Sequence, residues 1–267
     1  MTYALDKARV ARAFSRGAAA YDEHARVQRR AIERLLALAL PAAPAPRRVL
    51  DVGAGTGNLL AHLALTLPGA ALAGVDLAPG MALAAQERAP RAGLAVGDAE
   101  VLPFRPGAFD LVVSTSMLQW LATLEPAFRE ARRVLAPGGL VGVALFGGET
   151  LCELRDAWRE AAPAEPDRTH RFHSAEDVAR ALGAAGLDRV EVERERVVER
   201  YADVPSLLRA LRRIGANGNV TPATAGLGGR AALERMMHAY AARHGGPEGI
   251  PATWEIVYAL ARRAPVR

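Results

Sequence analysis

The fold class is decided by a stretch that reads Val49-Leu50-Asp51-Val52-Gly53-Ala54-Gly55-Thr56-Gly57. Its apolar first half predicts a short buried strand, and its glycines predict a tight turn that lets a ligand lie against the backbone. A helix is expected directly after the turn. Ligands of open α/β sheets bind at the carboxyl ends of strands, where the strand order reverses. The stretch therefore predicts a ligand site at Gly53, Gly55 and Gly57.

Strands and helices alternate on both sides of this turn. Strands are predicted at residues 47–52, 71–75, 94–96, 109–115 and 140–146, and helices at residues 58–67, 79–88 and 125–135. Pro137-Gly138-Gly139 is expected to close the last of these helices. The alternation predicts right-handed crossovers and a mostly parallel sheet that is covered on both faces.

The last third of the chain follows a different pattern. We predict a helix at residues 151–161, another that Ser174 and Asp177 begin as a capping box, and strands at residues 190–201 and 253–261. The helices and glycine-rich loops between those two strands are longer than a hairpin needs, which is typical of a lid.

Residues 4–40 have apolar side chains at helical spacing, with a possible break at Gly17, and the prolines at positions 41–46 end this arm. The predicted organisation is a helical arm at 1–46, an α/β core at 47–200, a helical lid at 201–250 and a final core strand at 251–267.

Composition excludes several classes of protein. Apolar residues make up 51% of the 267 residues and charged residues 24%, so the chain is expected to fold rather than to be disordered. The net charge of +5 comes from scattered arginines, and Lys7 is the only lysine, so we expect no nucleic-acid partner. No apolar run has the length of a membrane span, and we expect no membrane association. The single Cys152 favours a reducing compartment, and we expect a cytoplasmic monomer.

Three acids fall at the ends of successive predicted strands. Asp51 precedes the glycine turn, Asp76 ends the second strand, and Asp98 follows the third. A dinucleotide turn would place its third glycine one residue later. A carboxylate before the turn suits a cationic ligand, and the next two would accept hydrogen bonds from ribose hydroxyls and from an adenine amino group. Any one of the acids alone is more simply a solvated turn residue, but the set predicts an S-adenosylmethionine site.

The set resembles the class I methyltransferases over residues 47–147. The resemblance implies a Rossmann-like α/β fold: a seven-stranded, mostly parallel sheet with a helical N-terminal arm and a helical insertion before the last strand. It implies S-adenosylmethionine as the cofactor. It also implies that further side chains contact the cofactor: Ser15, Arg16, Leu77, Met81, Ala99 and Ser114.

The outer segments resemble one family within that class, the BioC malonyl-acyl-carrier-protein O-methyltransferases of biotin synthesis. The similar segments are residues 6–22, Leu118-Gln119-Trp120, residues 211–216 with Ile214-Gly215-Ala216, and residues 253–258. The resemblance implies methyl transfer to the free carboxylate of a malonyl thioester, carried by acyl-carrier protein or by coenzyme A.

Five side chains are candidates for the acceptor side of that reaction: Tyr21, Gln119, Trp120, Arg212 and Arg213. The resemblance implies that Tyr21 lies near the methyl group and that Gln119 and Trp120 line the pocket, although either aromatic ring is also a plausible core residue. Arg209, Arg212 and Arg213 share one helix face, opposite an inward face of Leu207, Leu211 and Ile214. An arginine on this face would bind the malonyl carboxylate or an acidic carrier protein. The alternative is that the face only contacts solvent.

Three other functions stay open. Residues 146–155 also resemble a methyltransferase-like arginine hydroxylase that assists respiratory complex I assembly. The Leu-Gln-Trp stretch occurs as well in small-acid methyltransferases of the trans-aconitate type, and a non-catalytic binding module is the third alternative. No metal is expected, because His170 and His173 have no third ligand at metal spacing, and Cys152 is expected to serve in packing.

Overall fold

A computed structural model describes residues 7–22, 26–43, 45–163, 170–213 and 227–265. Two helices form the arm, α1 (Lys7–Tyr21) and α2 (Arg26–Ala42), and the α/β core follows. The core elements are β1 (Arg48–Val52), α3 (Asn58–Thr66), β2 (Ala71–Asp76), α4 (Pro79–Arg88), β3 (Gly93–Val96), β4 (Phe109–Thr115), a 3-10 turn (Leu118–Trp120), α5 (Glu125–Val134) and β5 (Leu135–Phe146). The remainder is α6 (Cys152–Ala161), α7 (Ala175–Ala184), β6 (Asp188–Tyr201), α8 (Val204–Arg213), α9 (Leu227–His244) and β7 (Ile250–Arg262).

The seven strands form one sheet in the order β3-β2-β1-β4-β5-β7-β6. Strands β1 to β5 are all parallel to one another, and β7 runs antiparallel to both β5 and β6. The predicted Rossmann-like, mostly parallel sheet with a helical arm and a helical insertion is confirmed. The strand order reverses between β1 and β4, so this is the edge where the topology predicts a ligand.

Each face of the sheet carries its own apolar core. One cluster joins α2, α6, α8 and α9 to the sheet, and it includes the buried Leu35, Trp158 and Tyr240. The cluster on the other face contains α5 and α7, with Phe128 and Val178 fully buried. The arm is therefore part of the fold, because the apolar face of α2 completes the first core.

Two local expectations are wrong. Gly17 does not break the first helix, since α1 continues to Tyr21. Pro137-Gly138-Gly139 does not follow the helix as a separate turn; it lies inside β5, where the register with β4 shifts between Phe109 and Leu111. That irregularity absorbs the extra residues, and Gly138 takes a φ of 79° that favours glycine.

Other sequence expectations agree with the structure to within a few residues. Ser174 begins α7 with the expected capping box: its hydroxyl accepts from the Asp177 amide, and the Asp177 carboxylate accepts from the Ser174 amide. Leu207 and Leu211 of α8 are buried as expected, while Ile214-Gly215-Ala216 lies outside the described residues. Over the described ranges, no helix is both long and apolar enough to cross a membrane.

Candidate active site

One large cavity opens at the carboxyl ends of β1, β2, β3 and β4. It encloses about 1110 Å³ of space, including the solvent at its mouth. Helix α1 forms its roof through Lys7, Val10, Ala11 and Phe14, which recur on one face of that helix. Of the predicted cofactor residues, the cavity wall includes Gly53, Gly55, Asp76, Leu77, Met81, Asp98 and Ala99.

The glycine turn needs two of its glycines for different reasons. Gly53 has a φ of 81°, and a Cβ there would collide with the side chain of Met117. Gly57 has a φ of 83° and lies behind the cavity wall, where a Cβ would stand 2.8 Å from the Cα of Ala85. Gly53 therefore shapes the cavity, whereas Gly57 lets α3 pack closely on α4.

Asp76 is held rigidly at the end of β2. Its two carboxylate oxygens accept from the backbone amides of Gly55 at 2.9 Å and Ala78 at 2.8 Å. Burial raises the pKa of Asp76, although these two amide hydrogen bonds favour the charged form and act in the opposite direction. Each oxygen keeps spare acceptor capacity, so the carboxylate is a fixed acceptor at the cavity wall.

Asp51 lies in β1 just before the glycine turn and is not part of the cavity wall. Its side chain is buried, and within the described part of the chain neither carboxylate oxygen has a hydrogen-bond partner. Burial, with a contribution from the charge of Asp76, raises the pKa of Asp51 to about 8. The structure thus brings Asp76 and Asp98 to the cavity and places Asp51 underneath it, within the electrostatic reach of Asp76.

Asp98 is paired with Lys7, the first residue of α1. The ammonium group of Lys7 lies 2.6 Å from one Asp98 oxygen and also bonds the Glu100 carboxylate, while the other Asp98 oxygen accepts from the Glu100 amide at 3.0 Å. Burial disfavours the charged lysine, but these two acidic partners outweigh it and raise the pKa of Lys7. The amino end of α1 is therefore fixed over the same side of the cavity as Asp98.

The carboxyl end of α1 is fixed by Asp22, which directly follows that helix. One of its oxygens accepts from the Thr56 hydroxyl at 2.8 Å and the Asn58 amide at 2.7 Å, and the other lies 2.7 Å from the guanidinium of Arg88. Burial acts against the charged carboxylate, but these donors prevail and lower the pKa of Asp22. Because Thr56 and Asn58 belong to the glycine turn and to α3, the arm and the turn are connected directly.

Two predicted arm residues, Ser15 and Arg16, are not part of the cavity wall, and the side chain of a third, Tyr21, is outside the described part of the chain. The Ser15 hydroxyl accepts from the Gly80 amide at 3.2 Å, so Ser15 packs α1 on the start of α4. Arg16 is exposed. Tyr21 is the last residue of α1, and its side chain lies outside the described part of the chain, so its proximity to the methyl group stays a prediction.

The predicted residues after β4 divide into wall and support. Trp120 lines the cavity, with its ring 5.6 Å from that of Phe14 and 5.2 Å from that of His170. Gln119 is buried behind it and donates from its side-chain amide to the Ser116 carbonyl at 2.7 Å. Ser114 is also buried, and its hydroxyl donates to the Val52 carbonyl at 2.7 Å. Gln119 and Ser114 therefore hold the wall rather than form it.

Sequence reasoning missed several polar residues of the cavity wall: Lys7, Gln28, Arg29, Thr56, Asn58 and Ser116. Gln28 is a buried amide on the inward face of α2, and a polar residue at an inward helical position was the available signal. Ser116 has a φ of 55°, an uncommon conformation for a residue with a Cβ. No pattern in the sequence indicates that conformation.

The arginines of α8 do not reach the cavity wall. Arg209, Arg212 and Arg213 are exposed on the outer face of the helix.

His170 and His173 each form a hydrogen bond with a backbone carbonyl, that of Gln119 at 2.8 Å and that of Leu121 at 2.9 Å. No metal-binding group of three or more His, Cys, Asp or Glu side chains occurs among the residues described. Cys152 is half-buried, and burial raises its thiol pKa, which does not favour a nucleophile.

Comparison with known proteins gives concordant matches. A family model described as "Methyltransferase domain" matches residues 50–143. Malonyl-[acyl-carrier protein] O-methyltransferase of Geobacter sulfurreducens is 51% identical, over 97% of this chain and 100% of that protein. The biotin biosynthesis bifunctional protein BioHC of Cellvibrio japonicus is 37% identical, over 96% of this chain and 50% of that protein. Among solved structures, YcgJ from Bacillus subtilis superposes with a TM-score of 0.61 at 18% identity, over 88% of this chain and 100% of that one.

Proposed function

The chain belongs to the malonyl-[acyl-carrier protein] O-methyltransferase family, and from that premise we propose that it transfers a methyl group from S-adenosylmethionine to the free carboxylate of a malonyl thioester, at an early step of biotin synthesis. The observation that carries the proposal is the cavity at the strand-order reversal, where the fixed carboxylates of Asp76 and Asp98 face one space beneath the arm.

The residues of the cavity fit this cofactor. Asp76 would accept from the ribose hydroxyls, and Asp98 would accept from the adenine amino group. The apolar side chains of Leu77, Met81 and Ala99 stand beside these two acids and would cover the adenine ring. The buried Asp51 has no hydrogen-bond partner among the residues that the structure describes, and a cationic ligand nearby would favour its charged form.

The amino-acid end of the cofactor would lie at the opposite end of the cavity. There Gln28 and Arg29 of α2 line the wall together with Thr56 and Asn58. A guanidinium and a side-chain amide are donors that suit a carboxylate. We propose Gln28 and Arg29 as its binding residues, in addition to the acids at the strand ends.

The proposed reaction requires little acid–base catalysis from the protein. When bound, S-adenosylmethionine supplies a methyl group on a sulfonium sulfur: a carboxylate oxygen forms the new bond to carbon, and the electrons of the broken bond pass to sulfur. A malonyl carboxylate has a pKa near that of an aspartate, about 3.9, so it is already ionised at neutral pH. No general base is needed, and the residues would act by excluding water and by aligning the oxygen with the methyl group at roughly 3 Å.

The acceptor side of the cavity would be formed by Trp120 and Ser116. Gln119 would support this side, because its side-chain amide donates to the Ser116 carbonyl. That hydrogen bond helps to hold Ser116 in a backbone conformation that few residues other than glycine adopt. We keep Tyr21 as a proposed contact of the reacting carboxylate. A Tyr21→Phe enzyme with full turnover would exclude an essential hydroxyl.

The exposed arginines of α8 suit a protein partner better than a carboxylate inside the cavity. We propose that Arg212 and Arg213 bind the acidic carrier protein rather than the malonyl group. Replacing both with alanine should raise the KM for malonyl-carrier protein and leave the KM for malonyl-coenzyme A unchanged. An equal rise for both substrates would favour a direct role at the carboxylate instead.

A labelling experiment tests the proposed function. The purified protein is incubated with methyl-labelled S-adenosylmethionine and, in separate reactions, malonyl-carrier protein, malonyl-coenzyme A, trans-aconitate or an arginine-containing protein substrate. Label should appear in the malonyl thioesters as a base-labile methyl ester, and a matched succinyl-carrier protein is the control for chain length. Label only in trans-aconitate, or in no carboxylate at all, would contradict the proposal.

We also propose that the enzyme works as a monomer in the cytoplasm, where the half-buried thiol of Cys152 would stay reduced. Light scattering of the purified protein at the mass of one chain, 28.3 kDa, is the expected result.

A further inference from the structure

The chain uses arginine almost everywhere, with one exception at the cavity. Lys7 is the only lysine among the 34 lysine and arginine residues. It is also the residue that bonds Asp98 and Glu100 at the adenine end of the cavity. The one lysine of the chain therefore contacts Asp98, an acid that we propose binds the cofactor.

A lysine and an arginine would bind the Asp98 carboxylate differently. Lysine carries a compact charge with three donors, whereas the planar fork of arginine pairs with both oxygens of a carboxylate at once. In this structure one Asp98 oxygen accepts from Lys7 at 2.6 Å, and the other accepts from the Glu100 amide at 3.0 Å. Because each oxygen has two lone pairs, both keep acceptor capacity toward the cavity.

Glu100 makes the counter-charge necessary. Its carboxylate and that of Asp98 share the same ammonium group, so without Lys7 two negative charges would stand side by side. Like charges repel, so without Lys7 the two carboxylates would turn away from one another and Asp98 would lose the orientation that the ammonium group holds.

We propose that Lys7 is a positioning residue for the adenine subsite: it holds the Asp98 carboxylate in a fixed orientation while leaving an oxygen lone pair free for the adenine amino group. The arm is then part of the cofactor site and not only its cover. This inference rests on the proposed function, since it assumes an S-adenosyl cofactor.

Nucleobase selectivity separates this role from a purely structural one. Calorimetry would compare S-adenosylhomocysteine with S-inosylhomocysteine, in which a carbonyl replaces the amino group. Lys7→Met should weaken binding of the adenosyl ligand about tenfold, as expected for the loss of a hydrogen bond to a charged group. Its affinity for the inosyl ligand should not change, because that ligand has no amino group to donate to Asp98.

Two further variants sharpen the test. Arg12→Met removes a cation from the exposed face of the same helix and should leave both affinities unchanged. Lys7→Arg keeps the charge but should lose adenosyl affinity as Lys7→Met does, because its fork pairs with both Asp98 oxygens and would hold the carboxylate in a different orientation. Full selectivity in Lys7→Arg would show that charge alone suffices and would overturn the proposal, as would equal losses for the two ligands in Lys7→Met.

A spectroscopic readout needs no turnover. Protein labelled with ¹⁵N at the lysine side chain has a single such nitrogen, so its NMR signal reports Lys7 alone. S-adenosylhomocysteine should shift that signal, and an unchanged signal at saturation would contradict the contact through Asp98. If the wild-type protein bound no S-adenosylhomocysteine, the proposed function itself would fail; if it bound the ligand and Lys7→Met bound it equally well, only this inference would.

Discussion

Asp51→Asn should change how the stability of the cofactor-free protein depends on pH. The Asp51 carboxyl is buried with no hydrogen-bond partner in the described ranges, and burial with the nearby charge of Asp76 raises its pKa to about 8 from an ordinary 3.8. Between these two values the folded protein keeps a proton that the unfolded chain releases. The free energy of unfolding of the wild-type protein must therefore fall as pH rises through this window. An asparagine does not titrate and removes the effect.

The size of the effect follows from the proton count. One proton bound only in the folded state gives a slope of about 1.4 kcal/mol per pH unit, so Asp51 should cost the wild-type protein about 3 kcal/mol of stability between pH 5 and pH 7. Urea unfolding followed by circular dichroism at pH 5, 6, 7 and 8 measures this. The informative quantity is the difference between the wild-type and Asp51→Asn curves, in which the effects of other titrating groups cancel.

His170 shows why the difference is needed. Burial lowers its pKa, so it makes the folded protein gain stability as pH rises toward 6.5, opposite in sign to Asp51. Both proteins contain His170, and its contribution is the same in each. If the two stability curves ran parallel from pH 5 to pH 8, Asp51 would be ionised in the folded protein and the description of its environment would be wrong.

Two further substitutions test the arm and the wall of the cavity. Gly80→Ala would place a Cβ 2.8 Å from the backbone oxygen of Ser15, so α1 must move; such overpacking costs about 1 to 3 kcal/mol of folding stability, and because α1 roofs the cavity, calorimetry should show weaker binding of S-adenosylhomocysteine. Gln119→Met removes the donor to the Ser116 carbonyl and should lower kcat/KM for malonyl-carrier protein about tenfold, while the affinity for S-adenosylhomocysteine stays the same.

Matched controls exist for both. Gly69→Ala adds a Cβ into open space and should leave cofactor affinity unchanged, so a loss equal to that of Gly80→Ala would argue against a specific effect on the arm. Gln86→Met makes the same replacement at an exposed glutamine of α4, outside the cavity wall. If it reduced kcat/KM as much as Gln119→Met, support of Ser116 would not be the cause.

The sheet and the acids at its edge were predictable because they follow from local patterns and one topological rule. Alternating strands and helices fix a parallel sheet, and the carboxyl ends of parallel strands meet at one edge. Asp76 and Asp98 therefore had to face a common space. Asp51 was also expected at a strand end, but the sequence does not reveal that its carboxyl group is buried and lies outside the cavity wall.

The contacts of the arm could not be predicted in the same way. Lys7 and Asp98 are 91 residues apart, and Asp22 and Asn58 are 36 apart. Helical periodicity shows which face of α1 is apolar, but it does not show against which distant element that face packs. The arginines of α8 illustrate the same limit, since spacing placed them on one face and only the tertiary structure showed that this face points outward.

Calorimetry of S-adenosylhomocysteine with the wild-type protein and with Asp76→Ala decides whether the cofactor occupies this cavity. The account predicts one binding site per chain in the wild-type protein and a loss of about a hundredfold in affinity for Asp76→Ala, because two hydrogen bonds to a charged carboxylate are removed. Absence of binding to the wild-type protein, or equal affinity in the variant, would contradict the placement of the cofactor in this cavity.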